Sequence, residues 1–139
     1  MAFAHGKSAV FKLDDVGGTL RTLSSYVSEV SLPRNIDTAE TTTFGTASGA
    51  KTYLVGLNDA TIGVSGFFDA TADGYLAGVV GASATLSFEI GPEGSGVGAI
   101  KYTGECIMTS YQVGSSVGDV VSASADFQVT GAITRGTYA

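Results

Sequence analysis

Strict alternation of apolar and polar residues in two separate stretches constrains this chain more than any other feature. In residues 84–90, Ala84, Leu86, Phe88 and Ile90 are apolar while Thr85, Ser87 and Glu89 are polar. In residues 121–130, Val121, Ala123, Ala125, Phe127 and Val129 alternate with Ser122, Ser124, Asp126, Gln128 and Thr130. A period of two sends successive side chains to opposite faces of a strand, so one face is buried and the other wet. That is the signature of antiparallel sheet packed on one side. Weaker alternation marks Ala9, Phe11 and Leu13, then Tyr26, Val30 and Leu32, then Ile62, Val64 and Phe68. In residues 99–113, Ile100, Tyr102, Cys106 and Met108 face one way, and Lys101, Thr103 and Glu105 the other. The Gly- and Ser-rich residues 114–118 join this strand to the next as a hairpin, the longest strand pair in the chain.

One segment departs from the period of two. Over residues 71–80, Ala72, Leu76, Val79 and Val80 fall on one helical stripe. Thr71 suits the N-cap, Asp73 the positive end of the helix dipole, and Gly81 the C′ position. Short strands with one such helix predict a mainly β fold: an antiparallel sandwich or partly rolled barrel with a helix packed across it. At 139 residues the chain is read as one domain, burying roughly 68% of the surface of its unfolded form.

Residues 36–56 read differently again. They are rich in Thr and Gly and carry two isolated aromatics, Phe44 and Tyr53. A structureless loop this long is uncommon in a small domain and usually functional. An ordinary β-excursion would leave both aromatics exposed without purpose, whereas an interaction arm would bury them on a partner. The expectation is an extended loop that serves as an arm.

Composition narrows the function. Charged residues make up 14% of the chain, against about 25% in an average soluble domain. Gly, Ser, Thr and Ala take their place, giving a surface suited to subunit contact. The net charge is −6, and Lys7, Lys12, Arg21, Arg34, Lys51, Lys101 and Arg135 form no run, which argues against phosphate binding through a basic patch. A lone Cys106 allows neither an intrachain disulfide nor a multi-thiolate metal site, and reads as an inert core thiol. His5, the one histidine, lies in an N-terminal segment that offers no rigid support for a catalytic triad. Asp14 and Asp15 before Gly17 and Gly18 read as a hairpin turn, lacking the spaced oxygen ligands of a calcium loop. The Gly94–Gly98 run lacks the Lys-Ser/Thr ending of a phosphate loop and lies between two strands. No cofactor, metal or catalytic residue is expected. Neither a signal peptide nor a bilayer-spanning run is evident, so synthesis in the cytoplasm without a membrane partner is expected.

The chain also resembles a known family. His5-Gly-Lys-Ser-Ala-Val-Phe-Lys-Leu-Asp-Asp15, the run from Gly17 to Tyr26, and Ser31-Leu-Pro-Arg34 look like the start of tail tube proteins of long-tailed bacteriophages. So do Asp37-Thr-Ala-Glu-Thr-Thr-Thr-Phe-Gly45 and Lys51-Thr-Tyr-Leu-Val-Gly-Leu-Asn-Asp-Ala-Thr61. The likeness covers residues 5–69; beyond them only the layout of helix and strands agrees. It implies a structural subunit that self-assembles into rings, typically of six. The rings stack into a hollow tube around a tape-measure protein, and DNA later passes through the lumen. It also implies tail terminator and distal tail or baseplate partners, and a place in the virion after assembly in the host cytoplasm. Carried over by position, the contact residues between subunits or rings are Thr43, Phe44, Gly45, Lys51, Thr52 and Tyr53. The resemblance does not fix the lumen. Physical reasoning nominates the polar-face acids Glu89, Glu105 and Asp126, because carboxylates repel DNA over a Debye length of ~8 Å; their alternative place is the tube exterior. A tail terminator, baseplate ring or decoration protein is the second reading. A sugar-binding or hydrolytic sandwich is disfavoured, since no Trp is present to build a stacking platform.

Overall fold

The computed structural model describes residues 5–45 and 49–139. A 3-10 turn at Gly6–Ser8 precedes strands β1 (Val10–Asp14), β2 (Leu20–Thr22), β3 (Val27–Ser31), β4 (Arg34–Glu40) and β5 (Tyr53–Phe67). Helix α1 (Ala70–Gly78) follows, then β6 (Leu86–Gly91), β7 (Ile100–Gly114) and β8 (Ser122–Thr137). The strands run in the order β2-β1-β6-β7-β8-β5-β3, with β4 also on β5, and every pairing is antiparallel. The sheet is rolled but not closed. A groove of about 560 Å³ separates β1 from β3, lined by Val10, Phe11, Val27 and Val30 among others. The mainly β fold with one helix is as the alternation requires.

The alternating residues meet inside the roll. Phe11, Leu13, Ile62, Val64, Leu86, Phe88, Ile90, Cys106, Ala125, Phe127 and Val129 are buried, with Ala72, Leu76 and Val79 of α1 closing one side. The Phe11 and Phe127 rings lie 6.4 Å apart, tilted by 47°, within the range of favourable aromatic pairs. Ala84 lies outside β6 and is exposed, so the alternation there begins two residues later than expected.

In β7 the phase changes partway. Met108 pairs with Phe127, but Ser110 pairs with Asp126, so Thr109 is looped out as a bulge. The bulge turns Tyr111, like Met108, toward the core. Strand β8 bulges in turn between Thr130 and Thr134, where Gly131 takes a φ of 85° that a side chain would resist.

The helix is offset from its expected span of 71–80. Asp69 is the N-cap, not Thr71: its carboxylate accepts from the Thr71 N–H at 2.9 Å. Both types cap well, but Asp69 is the first residue after β5 and Phe68 whose oxygen reaches that donor. The helix ends on Gly78, with Val79 as C-cap. Val80 thus leaves the stripe and is exposed, while Ala72, Leu76 and Val79 stay buried. Gly81, expected at C′, lies further on with a φ of 77°.

The expected loop at 36–56 is largely a β-hairpin. Strand β4 pairs with residues 53–60 of β5, so only residues 41–52 lie between the two strands, and Thr46, Ala47 and Ser48 are outside the described residues. Strands β3 and β4 share one register on β5, from Val30 opposite Val64 to Asn35 opposite Asp59. They are two halves of a single edge, broken at Leu32 and Pro33. The Pro33 carbonyl keeps the ladder by accepting from Thr61 N–H at 3.2 Å, and a proline without N–H is tolerated on an edge. The hairpin was hidden because every residue of β4 and residues 53–59 of β5 are exposed. With neither face buried, no alternation is selected.

Candidate assembly surface

The β4–β5 hairpin leaves the body at a fork. Strand β8 pairs with β5 only from Phe67 to Thr61; beyond Gln128 it continues alongside β7 alone, while β5 runs out with β4. The Gln128 amide sits at the crotch, donating to the Asp59 carboxylate at 2.6 Å and to the Ala60 carbonyl at 3.0 Å. A groove of about 520 Å³ opens between the branches, lined by Arg34, Ile36, Asp59, Val129 and Ile133 among others.

The projecting arm is apolar yet uncovered. Ile36, Tyr53, Leu54, Val55 and Leu57 are all more than half exposed, and Phe44 at the tip is fully so. Covering one such side chain fully is worth about 1.5–3 kcal/mol, and more than half of each of these remains uncovered within the chain. Monomeric proteins rarely expose a contiguous patch of this kind. Local bonds hold the arm's shape: Thr41 N–H donates to the Thr52 carbonyl, the two threonine hydroxyls are 2.8 Å apart, and Thr52 N–H donates to the Thr42 hydroxyl. The Lys51–Glu40 ion pair at 3.7 Å is open to water and adds little.

All six arm residues singled out from the sequence come together here. Thr43, Phe44 and Gly45 lie on the outgoing side of the tip, and Lys51, Thr52 and Tyr53 on the returning side. Sequence reasoning passed over Ile36, Leu54, Val55 and Leu57, which carry more apolar surface than the tip does. Their signal was available: four large aliphatics beside Thr and Gly, without the alternation of a core strand.

The three nominated acids lie on the outer, polar face of the rolled sheet, on three consecutive strands, but their surroundings differ. Glu89 is buried at 8% exposure. Lys12 and Lys101 place their ammonium nitrogens 3.4 and 3.6 Å from it, and the Tyr138 hydroxyl donates at 3.0 Å. Two cations cover this carboxylate, so it presents no free negative charge; alternation reads the face of a residue but not what lies over it. Burial, with the Glu89 bond behind it, pushes the Tyr138 hydroxyl up to about 12. Glu105 accepts from the hydroxyls of Thr85 and Ser87. Asp126 is exposed and accepts from Ser110 at 2.9 Å. Cross-strand pairing adds Asp14, Asp59 and Glu29 to this face, with Ser, Thr and Gln between them.

Other singled-out residues have local roles. His5 caps the 3-10 turn through Nδ1, which accepts from Lys7 N–H at 3.1 Å. Asp15 builds the β1–β2 turn as the sequence suggests: Oδ1 accepts from Gly17 and Thr19 N–H, and Oδ2 takes Arg21 Nε at 2.8 Å. The Arg21 bond, then the Thr19 N–H, hold its carboxyl below the usual range. Burial pushes the Cys106 thiol up to about 12. Residues 94–98 lie in a turn tied to the C-terminal segment, with Gly98 N–H donating to the Tyr138 carbonyl at 2.9 Å. Among the described residues no group of His, Cys, Asp and Glu is placed to hold a metal ion, and no helix is long and apolar enough to cross a membrane.

Known proteins share this architecture. The chain resembles a subunit in the tail of an empty gene transfer agent particle refined with C6 helical symmetry: TM-score 0.83, 21% identity, 97% of this chain and 100% of that one. The SPP1 tail tube follows at TM-score 0.69 and 13% identity, covering 97% of this chain and 80% of that one. The sheath–tube complex of an extracellular contractile injection system matches at TM-score 0.70 and 11% identity, covering 97% and 92%. No curated protein sequence matches. A family model described as phage tail tube protein matches residues 4–135. The helix, the projecting arm and all of the sheet but the last two residues of β8 fall within that match, and the chain belongs to the phage tail tube protein family.

Proposed function

We propose that copies of this chain close into rings, six to a ring, that stack into a hollow tail tube, with the β4–β5 arm seated on a neighbouring copy. The observation that carries this reading is the arm itself: a hairpin with exposed aliphatic and aromatic side chains on a body whose own core is complete. Burying it between identical subunits removes an aggregation hazard and converts it into assembly. The family's role is structural, and no chemistry is required of the chain. The six-fold number is taken from the symmetry of the gene transfer agent tail.

The polar outer face of β6, β7, β8 and β5 is assigned to the lumen. Asp126 and Glu29 are the exposed acids there, Glu105 and Asp14 are half-buried on hydroxyl and amide donors, and Glu89 contributes structure. Ring symmetry repeats each carboxylate around the channel, and such a wall repels DNA within about 8 Å. The tape-measure protein fills this lumen before DNA does, and the terminator and distal tail or baseplate proteins cap the ends. The finished tube belongs to a phage-like particle, built in the host cytoplasm.

Negative-stain electron microscopy of the purified chain, across salt and concentration, is expected to show rings or long hollow tubes. A monomer under all conditions overturns the reading, and single rings that never stack favour a terminator. Replacing residues 41–52 by a short Gly-Ser linker is expected to give a folded subunit that does not polymerise; unchanged tubes would remove the arm from its role.

A further inference from the structure

Strand β5 loses regular pairing on both sides at one residue, Thr61. On one side the β3–β4 edge is interrupted. Pro33 accepts from Thr61 N–H at 3.2 Å, but the return bond is missing because proline has no N–H. On the other side, Thr61 opposite Gln128 is the last rung shared with β8. Continued in the same register, the next rung would set Ala60 against Val129, but the two strands part there. The Gln128 side-chain amide stands in the gap. It donates to the Ala60 and Val129 carbonyls at 3.0 and 3.3 Å, the acceptors that the next rung would have used. It also donates to the Asp59 carboxylate at 2.6 Å.

Beyond Thr61 the arm holds to itself. Strand β4 and β5 are laddered from Arg34 opposite Ala60 to Glu40 opposite Tyr53. Every residue of β4 and residues 53–59 of β5 are exposed, so no buried side chain past the fork resists a change of angle. The groove between the branches has Arg34 and Ile36 on the arm side and Val129 and Ile133 on the body side. It is the space such a movement would cross.

We infer that the arm is hinged at Thr61 and that the Gln128 amide is its latch, setting the angle at which the arm meets a neighbouring copy. The inference rests on the reading of the arm as an assembly element and adds to it a fixed direction. Hinges are a few positions at the ends of elements that absorb a change of backbone angle, and Thr61 is such a position for both flanks of β5 at once. The amide occupies the place of the missing rung, so it restrains the hinge without stiffening the arm. A bond to a charged acceptor is of the stronger kind, yet the Asp59 bond is open to water, so the latch can release while the sheet stays folded. Gln128 is thereby a positioning residue for assembly.

Spin labels on Ala39→Cys and Thr130→Cys, both exposed positions, report the distance from arm to body in the unassembled subunit by pulsed electron spin resonance. Cys106 is buried and does not compete for label. The latched arm is expected to give one narrow distribution. Gln128→Glu keeps the side chain's size but sets a carboxylate against Asp59 and two carbonyls. It is expected to broaden the distribution on the order of twofold, with little change in subunit melting. Asp59→Ala is expected to broaden it less, and Asp59→Asn, which keeps an acceptor oxygen, to leave it narrow. An arm at the right angle about one-tenth of the time raises the critical concentration for tubes roughly tenfold. Gln128→Glu is expected to show that rise in sedimentation. A wild-type distribution as broad as that of Gln128→Glu would overturn the latch, as would narrow distributions in both Gln128→Glu and Asp59→Ala. If Gln128→Glu does not fold, the two Asp59 variants decide by the same comparison. A broadened arm with wild-type assembly would overturn its role in setting the angle. A wild-type chain that forms neither rings nor tubes would defeat the tube reading instead, while the distance measurement still decides the latch.

Discussion

Gly66 shows how closely the strands are fitted. A Cβ there would lie 2.1 Å from the Tyr26 carbonyl oxygen and 2.8 Å from Val27 Cα, both backbone atoms with little room to yield. Gly66→Ala is expected to destabilise the subunit by about 1–3 kcal/mol, read from the urea midpoint; a neutral result would mean that β3 moves freely against β5. The raised tyrosines give a pH dependence. Burial, then the Asp73 bond, push Tyr111 up to about 12, as burial and Glu89 do for Tyr138. The unfolded chain ionises its tyrosines near pH 10. Stability is therefore intact below pH 10 and falls as pH rises from about 10 to 12, because only the unfolded chain sheds these protons. Tyr111→Phe is expected to flatten that fall, and denaturant midpoints measured through this window with an unchanged slope would discount the assignment. These features lie beyond sequence reasoning, because Tyr111 reaches Asp73 only after the Thr109 bulge reverses the phase of β7.

At the scale of elements, the arm and the body obey different rules. The body strands are fixed by buried faces; β4 and the first half of β5 are fixed by their mutual ladder alone. Substitution on the arm should therefore separate folding from assembly. Phe44→Ser and Leu57→Ser are each expected to change subunit stability by no more than about 0.5 kcal/mol while sharply reducing tube yield. A large loss of thermal stability in either would show that the arm packs on its own body. Phe127→Ala is the opposite case, with an expected loss of about 3–5 kcal/mol. The helix span was legible in outline because Leu76 and Val79 needed a buried stripe, but its start was not. Asp69 and Thr71 both suit a cap, and only the path of the chain out of β5 chooses between them.

For the molecule as a whole, a finished core beside an unfinished surface predicts uneven dynamics. In the free subunit, amide hydrogens of β6, β7 and β8 are expected to exchange slowest, and those of 34–40 and 53–60 orders of magnitude faster, since no packing opposes local opening of the arm. On assembly the arm amides should become protected, whereas equal protection before and after would show that the arm stays unpartnered. By itself the sequence determined the β class, most of the buried positions, the single helix, the Asp15 turn and the place of the arm, because each is a local pattern with a single physical solution. Tertiary structure alone decided that residues 36–56 form a hairpin and that Lys12 and Lys101 cover Glu89. Those features depend on which strands become neighbours, and period-two patterning carries the face of each residue but not the identity of what lies across from it.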